Sequence, residues 1–333
     1  MKKTIIIAEA GVNHNGSLDL AMQLIDAAAD SGADYVKFQT FKTNQLVTCS
    51  AEMANYQKKI IDDSQTQAEM LRKLELPQDV FLTLANHAKA RKIGFLSTPF
   101  DIDSAKMLSN IGLDFIKISS GDLTNTPFLR ELSKFETPII LSTGMATLGE
   151  VERAVCVLEA CGIPMERIAI LHCTTEYPAP ICDVNLLAIK TLKNAFPKAT
   201  IGYSDHTDGI DISIGAVVLG AQIIEKHFTL DRGMIGPDHQ ASLEPQELIN
   251  LVSSIRRIEQ AMGDGRKRPS KSEIANIRIA RKSIVASRPI SKGEIFTIEN
   301  ISVKRPGDGI SPERWDEVVG GVALKDYGID QLI

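Results

Sequence analysis

The chain contains no CxxC pair. Its five cysteines (Cys49, Cys156, Cys161, Cys173 and Cys182) are odd in number. That argues against a disulfide frame and for a reduced, cytoplasmic protein. No stretch approaches the ~20 apolar residues of a membrane span, so no membrane partner is expected. No long basic run is present and the net charge is −5, which argues against a nucleic acid partner. A small anionic ligand would need basic groups gathered locally. No internal repeat stands out beyond an alternation of strand and helix patterns. The opening Met1-Lys2-Lys3-Thr4 and Ile5-Ile6-Ile7-Ala8 is basic and then apolar. It is too short for the apolar region of a signal peptide, and Glu9 interrupts it, so it reads as a buried first strand.

What is present is alternation. Short β-branched runs, expected as strands, fall at Thr4–Ala8, Tyr35–Gln39, Gly94–Ser97, Phe115–Ile118, Pro138–Ser142, Ile168–Cys173, Ile201–Ser204 and Ile223–His227. Between them lie helical patterns. Ala21-Met22, Leu24-Ile25 and Ala28 recur at three- and four-residue spacing, as do Val151, Val155, Val157-Leu158 and Cys161. Strict alternation implies an α/β fold with a parallel sheet covered by helices. An open doubly wound sheet would carry a glycine-rich turn after its first strand. Here Glu9-Ala10-Gly11-Val12-Asn13-His14-Asn15-Gly16 follows instead. Eight units in 333 residues suit a (β/α)8 TIM barrel, which takes ~250 residues and leaves a small remainder.

The expected domains are a barrel over 1–265, a basic linker over 266–279 and a small mostly-β module over 280–333. The helix near 244–263 would close the barrel. The module has short β-like pieces at Ser283–Ala286 and Ile301–Val303. The connection over 41–77 is long, as lids and substrate walls on barrels are.

Barrel chemistry sits at the C-terminal strand ends. Those ends offer Glu9, then Lys37 and Gln39, then Ser97 and Thr98. Next come Lys117, Ser119 and Ser120 with Asp122 beyond, followed by Ser142 and Thr143. The last three offer His172, Thr174, Thr175 and Glu176; Ser204, Asp205 and His206; and Lys226 and His227. His206 and His227 are one strand–helix unit apart, so neighbouring strands can bring both imidazoles to one ion. A two-histidine site leaves positions open for substrate or water, as Lewis-acid catalysis needs. Nitrogen ligands suit Mn, Fe, Co or Zn better than Ca. The pair alone is equally what two hydrogen-bonded rim histidines would give. His239 is a possible third member, while His87 lies in a helix pattern and reads as structural.

Lys37 and Lys117 lie inside apolar strand patterns, where a lysine is costly unless it meets an anion. With Thr98, Ser120, Ser142 and Ser204 they suggest a cradle for a phosphate and a carboxylate. A Schiff-base lysine of a class I aldolase acting on a sugar acid is the alternative. It would need no metal. Glu9, Asp122, Glu176 and Asp238 are the carboxylates available for acid–base work or for sugar hydroxyls.

Taken together the motifs resemble the sialic acid synthases across nearly the whole chain. The match rests on AEAGVNHNG (8–16), ADYVKFQTF (33–41), FLSTPFD (95–101), KISSGDL (117–123), LSTGMA (141–146), LHCTTEYPAP (171–180), GYSDHT (202–207), IEKHFTLD (224–231) and GPDH (236–239). The tail, with SKGEIF (291–296) and KRPGDGISP (304–312), resembles the family's antifreeze-like (SAF) domain.

The resemblance implies condensation of phosphoenolpyruvate, an N-acylated amino sugar and water to a nine-carbon sugar acid and phosphate, by C–O cleavage. It implies a divalent metal on His206 and His227, Mn2+ first, with Mg2+ or Co2+ as alternatives. Phosphoenolpyruvate contacts would match Lys37, Thr98, Lys117, Ser120, Ser142 and Ser204, and sugar contacts Gln39, Tyr177 and Asp238. Glu9 and Asp122 would handle the water's proton. Arg305 would enter the site of a partner subunit in a domain-swapped homodimer. Two departures stand out. Many relatives carry asparagine in the segment reading Thr174-Thr175 here, so Thr175, expected among the substrate contacts, departs from the family's phosphate contact. Relatives also have glutamate at Asp122. The acceptor would be N-acetylmannosamine or a 2,4-diacetamido-2,4,6-trideoxymannose analogue, giving N-acetylneuraminate or a legionaminate-type acid. The wording of HCTTEYPAP and GYSDHT looks closer to the legionaminic branch.

Overall fold

Isoleucine runs such as Ile5-Ile6-Ile7 favour extended backbone, because β-branched side chains are stiff at χ1 and pack well on a pleated surface. In the computed structural model, which describes residues 3–58 and 66–333, such runs form eight parallel strands. They are β1 (Ile5–Gly11), β2 (Tyr35–Thr40), β3 (Gly94–Pro99), β4 (Ile116–Ile118), β5 (Ile139–Ser142), β6 (Ile168–Cys173), β7 (Thr200–Asp205) and β8 (Ile223–His227). The hydrogen-bonded order is β3-β2-β1-β8-β7-β6-β5-β4, and β3 and β4 meet to bring the sheet round on itself. The TIM-like barrel expected from the alternation is therefore the fold. Each strand lies within a few residues of its expected place. The largest difference is β1, which runs on through Glu9 to Gly11.

Helices cover the outside. The first, Leu18–Ser31, starts where the Ser17 side chain accepts the Leu20 N–H and stops at Gly32 with φ 79°. It buries Ala21, Leu24, Ile25 and Ala28, the face its spacing anticipates. The last barrel helix, Pro245–Ala261, falls within the expected closing segment. Among the described residues no helix is long and apolar enough to cross a membrane.

The strand period of two divides the core into two layers. Ile6, Ala8 and Ala10 of β1 face outward into the main helix–sheet core. Ile7, Leu96, Ile140, Ala169, Leu171 and Ile223 form a separate cluster inside the barrel. Gly202 belongs to that packing, because a Cβ there would lie 2.4 Å from the Leu171 side chain and 2.6 Å from the Ile223 carbonyl. One step of two residues further along each strand, the interior turns from apolar to polar, and that step builds the site.

The 41–77 connection carries helices at Thr43–Leu46, Asn55–Lys58 and Gln67–Leu74. Residues 59–65 of this stretch lie outside the described residues. Phe41, Met53, Met70, Leu71 and Leu74 from the connection form an apolar cluster with Val12, and Phe100 packs against it.

A second compact unit begins at Asp264, the first ending at Gly263. The stretch expected as a linker contains a helix, Lys271–Ala280, opened by a Ser270–Glu273 capping box. Beyond it β9 (Ser283–Ala286) and β10 (Ile301–Lys304) pair antiparallel. They enclose a small core of Ile284, Ile290, Phe296, Ile301, Ala323 and Tyr327.

Candidate active site

Counting two residues on from the apolar interior layer gives Glu9 on β1, Lys37 on β2, Thr98 on β3, Ser142 on β5, Cys173 on β6, Ser204 on β7 and Glu225 on β8. Lys117 of β4 joins them. All are buried, and they line a cavity of about 250 Å³ at the C-terminal mouth. Parallel register sets them side by side, with Glu9 opposite Lys37 and opposite His227, and Ser204 opposite Glu225.

The charges interlock. Lys37 Nζ lies 2.7 Å from Glu9 Oε2 and 3.6 Å from Glu225 Oε2, and donates to Thr98 Oγ1 at 3.0 Å. Lys117 Nζ meets Glu225 Oε1 at 3.2 Å. The Ser204 hydroxyl donates to the same oxygen at 2.8 Å. Burial pushes Glu9 up to about 7 against the pull of Lys37. Burial acts on Glu225 in the same direction, but Lys117 and Lys37 outweigh it and hold that carboxyl well below the usual range. Of the two carboxylates, Glu225 therefore carries the firm charge and Glu9 readily keeps a proton. Burial and the neighbouring Lys37 lower Lys117, with Glu225 opposing them.

The two expected histidines come together, with ring centroids 5.4 Å apart. Burial lowers His206 to about 4 and His227 well below its ordinary value, so both are neutral. His206 Nδ1 donates to the Thr174 carbonyl at 2.6 Å; its Nε2 lies 3.4 Å from Ser204 Oγ, whose hydrogen goes to Glu225. His227 Nδ1 is buried without a hydrogen-bond partner and lies 3.9 Å from Asp238 Oδ2. Tyr177 packs over the His206 ring at 4.2 Å and meets His227 edge-on at 5.5 Å. Burial raises Asp238 to about 6.

Gly11, at φ 53°, marks where His227, Asp238 and Gln39 converge. A Cβ there would come within 3.4 Å of His227 Cε1 and 3.5 Å of both Asp238 Oδ2 and Gln39 Nε2. On the opposite side, Ser142 Oγ and Thr175 Oγ1 are buried hydroxyls without partners. Ser120 Oγ lies 3.1 Å from Cys173 Sγ and accepts the Gly144 N–H at 3.0 Å. A Cβ on Gly144 would lie 2.1 Å from Thr175 Oγ1, so only glycine leaves this wall its shape.

Two expected carboxylates, Asp122 and Asp238, are not among the residues that line the cavity. Asp122 turns back into its own short turn, where Ser119 Oγ donates to it at 2.8 Å and Asn125 Nδ2 at 3.1 Å. Arg305 is exposed in the second unit, its Nε donating to the Ala280 carbonyl. His239 has both ring nitrogens engaged, by Thr229 and Asn15, so it is no third member of the pair. His87 pairs with Asp26 on the helix surface. Glu176 is exposed. Asp205 and Lys226 point away from the cavity and bind each other. Reading along the strand singled out Lys226 and passed over Glu225. The signal that finds Glu225 is parity: it stands two residues after Ile223 and two before His227, both inward.

The model of the NeuB family matches residues 24–267, and that of the SAF domain matches residues 281–333. The chain belongs to the NeuB family. It is 56% identical to the N,N'-diacetyllegionaminic acid synthase of Campylobacter jejuni, over 100% of this chain and 99% of that one. It is 45% identical to the enzyme of the same name from Legionella pneumophila, over 95% and 89%. The crystal structure of the N-acetylneuraminic acid synthetase of Leptospira borgpetersenii in complex with citrate superposes with a TM-score of 0.72 at 37% identity, covering 83% of this chain and 90% of that one. As a NeuB-family protein the chain is a phosphoenolpyruvate-condensing synthase of the sialic acid class, the activity its motifs imply.

Proposed function

We propose that this NeuB-family synthase joins phosphoenolpyruvate to a 2,4-diacetamido-2,4,6-trideoxymannose-type aldehyde, giving a legionaminate-type acid and phosphate. The observation that carries the acceptor is the 56% identity, along the full chain, to a relative named for that product. In this reading C3 of phosphoenolpyruvate attacks the sugar aldehyde. Water adds to the oxocarbenium at C2, and the resulting tetrahedral centre expels phosphate with C–O cleavage. Lys37 and Lys117 hold the anionic groups, with Thr98, Ser120, Ser142, Thr175 and Ser204 as hydroxyl donors. Gln39, Tyr177 and Asp238 face the sugar. Glu9, poised near neutrality, exchanges the proton of the incoming water; Asp122, tied to Ser119 and Asn125, is left out of that step.

The residues fit a divalent metal, Mn2+ first and Mg2+ or Co2+ next. Two neutral imidazoles stand together, one with its Nε2 met only by Ser204 Oγ at 3.4 Å, the other with a buried unpartnered nitrogen. Among the described residues no group of three His, Cys, Asp or Glu side chains is arranged to hold a metal, so His206 and His227 would share it with substrate oxygens. When bound, such an ion supplies Lewis-acid polarisation of the aldehyde.

Phosphate release from phosphoenolpyruvate, measured with each sugar in turn, tests the acceptor. The diacetamido sugar should give the highest kcat/KM; a higher value with N-acetylmannosamine would overturn this reading. Activity should vanish in chelator and return with Mn2+, and borohydride with pyruvate should leave Lys117 unmodified. Arg305 belongs, in this reading, to the site of a second copy in a domain-swapped homodimer. Mixing Arg305→Ala and Lys37→Met chains should then restore activity that neither has alone. Cysteines free of disulfides support a cytoplasmic setting.

A further inference from the structure

Glu225 stands between the two lysines of the cradle, its side chain 5% exposed. Its Oε1 takes the Ser204 hydroxyl hydrogen at 2.8 Å and meets Lys117 at 3.2 Å, while Oε2 faces Lys37 at 3.6 Å. Lys37 has a second, closer carboxylate in Glu9. The ion pair of Lys117 runs to Glu225. Two buried ammonium groups repel each other, and each costs several kcal/mol without a counter-ion. An anion bridging them relieves both costs. In the free protein that bridging anion is the carboxylate of Glu225.

We propose that Glu225 is a positioning residue that stands in for the substrate's anionic group. It keeps Lys37 and Lys117 aimed into the cavity while the site is empty. Once phosphoenolpyruvate or phosphate reaches the same ammonium groups, the Glu225 carboxylate is a like charge beside it. That repulsion weakens the hold on the anion and lets the phosphate product leave. The inference rests on the reading that both lysines bind the anion. It predicts a sign opposite to that of a residue that merely supports the fold or donates to the ligand: removing the charge of Glu225 should tighten anion binding.

The test is Glu225→Gln, which keeps the shape and removes the charge. Inorganic phosphate is the probe, titrated calorimetrically into the full-length protein. KM for phosphoenolpyruvate and kcat are measured at saturating acceptor. The phosphate Kd should fall at least about tenfold, since like-charge juxtaposition costs several kcal/mol. KM should fall and kcat should fall with it, as release slows. The ligand-free variant should melt lower than wild type and gain more Tm from phosphate. A folded Glu225→Gln variant that binds phosphate no tighter than wild type overturns the inference. Where the glutamine variant does not fold, Glu225→Asp draws the carboxylate back by one methylene. The phosphate Kd should then fall by a smaller factor, and an unchanged or higher Kd is equally fatal. Phosphate failing to bind wild type would overturn the lysine-cradle reading and this inference together. Wild-type binding left untouched by Glu225→Gln would overturn this inference alone.

Discussion

Glu225 and Lys226 are neighbours on β8, and the networks they join face opposite sides of the barrel wall. Outside, Lys226 pairs with Asp205 at 3.1 Å and donates to the Thr207 carbonyl. Asp205 accepts from the Thr207 N–H and hydroxyl and from Ser213 Oγ at 2.9, 2.7 and 2.6 Å. Inside, Glu225 joins a network that borders a cavity, with Ser142 Oγ, Thr175 Oγ1 and His227 Nδ1 left without partners. Both networks hold buried lysines and carboxylates, so buried charge by itself does not mark a functional site. What separates them is unused hydrogen-bonding capacity. A buried polar group with no partner carries a penalty that a ligand can remove. The outer network has spent its donors and acceptors on the fold.

Two substitutions should pull that comparison apart. Lys226→Met leaves Asp205 buried without its cation, and stability should fall by about 3–5 kcal/mol in urea titration. The kcat/KM per folded molecule should not change. Lys37→Met should do the reverse. Its kcat/KM for phosphoenolpyruvate should drop on the order of 10²–10³-fold, the scale set by losing one electrostatic clamp. Its stability loss should be smaller, because Glu9 readily takes up a proton when its cation goes. Equal losses of activity in both variants would erase the distinction between the two networks.

The difference was only partly legible in the sequence. The barrel was, because the period-two strands and amphipathic helices are local features that the parallel sheet preserves. The convergence of two buried lysines on one cavity was, because Lys37 and Lys117 interrupt apolar runs where a lysine has no solvent to reach. Which of two adjacent charged residues faces inward is a question of register, and Glu225-Lys226 reads the same either way until parity is counted from Ile223. Asp122 looked equal to Glu9 as a strand-end carboxylate. Its removal from the cavity depends on the turn Ser119–Asp122 and on Asn125, whose side-chain bonds spacing does not reveal. The helix at Lys271–Ala280 was hidden by a composition that reads as basic linker, though the Ser270–Glu273 box was there to be found.

The open network should also show itself through pH. The folded protein binds the Glu9 proton more tightly than the unfolded chain, with its pKa raised from 4.5 to about 7. That contribution to stability is full below pH 4.5 and is lost as pH rises through 7. Glu9→Gln should therefore flatten the decline of stability between pH 5 and 8 by about 1–3 kcal/mol. A decline as steep in the variant as in wild type would mean that Glu9 is ionised throughout, and the inner network less strained than its burial implies.

The smallest effects make the finest comparison, since they set one hydroxyl against another. Thr175→Val removes a buried oxygen that has no partner in the free protein, so stability should hold or rise slightly. If that oxygen serves the phosphate, KM for phosphoenolpyruvate should rise about tenfold, the worth of one hydrogen bond to a charged group. Ser213→Ala removes a hydroxyl fully committed to Asp205. It should cost about 1–3 kcal/mol of stability and leave KM alone. The pair thus exchanges signatures: one hydroxyl is felt only with substrate, the other only in unfolding. A stability loss in Thr175→Val without a change in KM would move Thr175 into the structural class. The phosphate would then rest on Ser120, Ser142 and the lysines, with Gly144 left to explain why the wall beside Thr175 admits no Cβ.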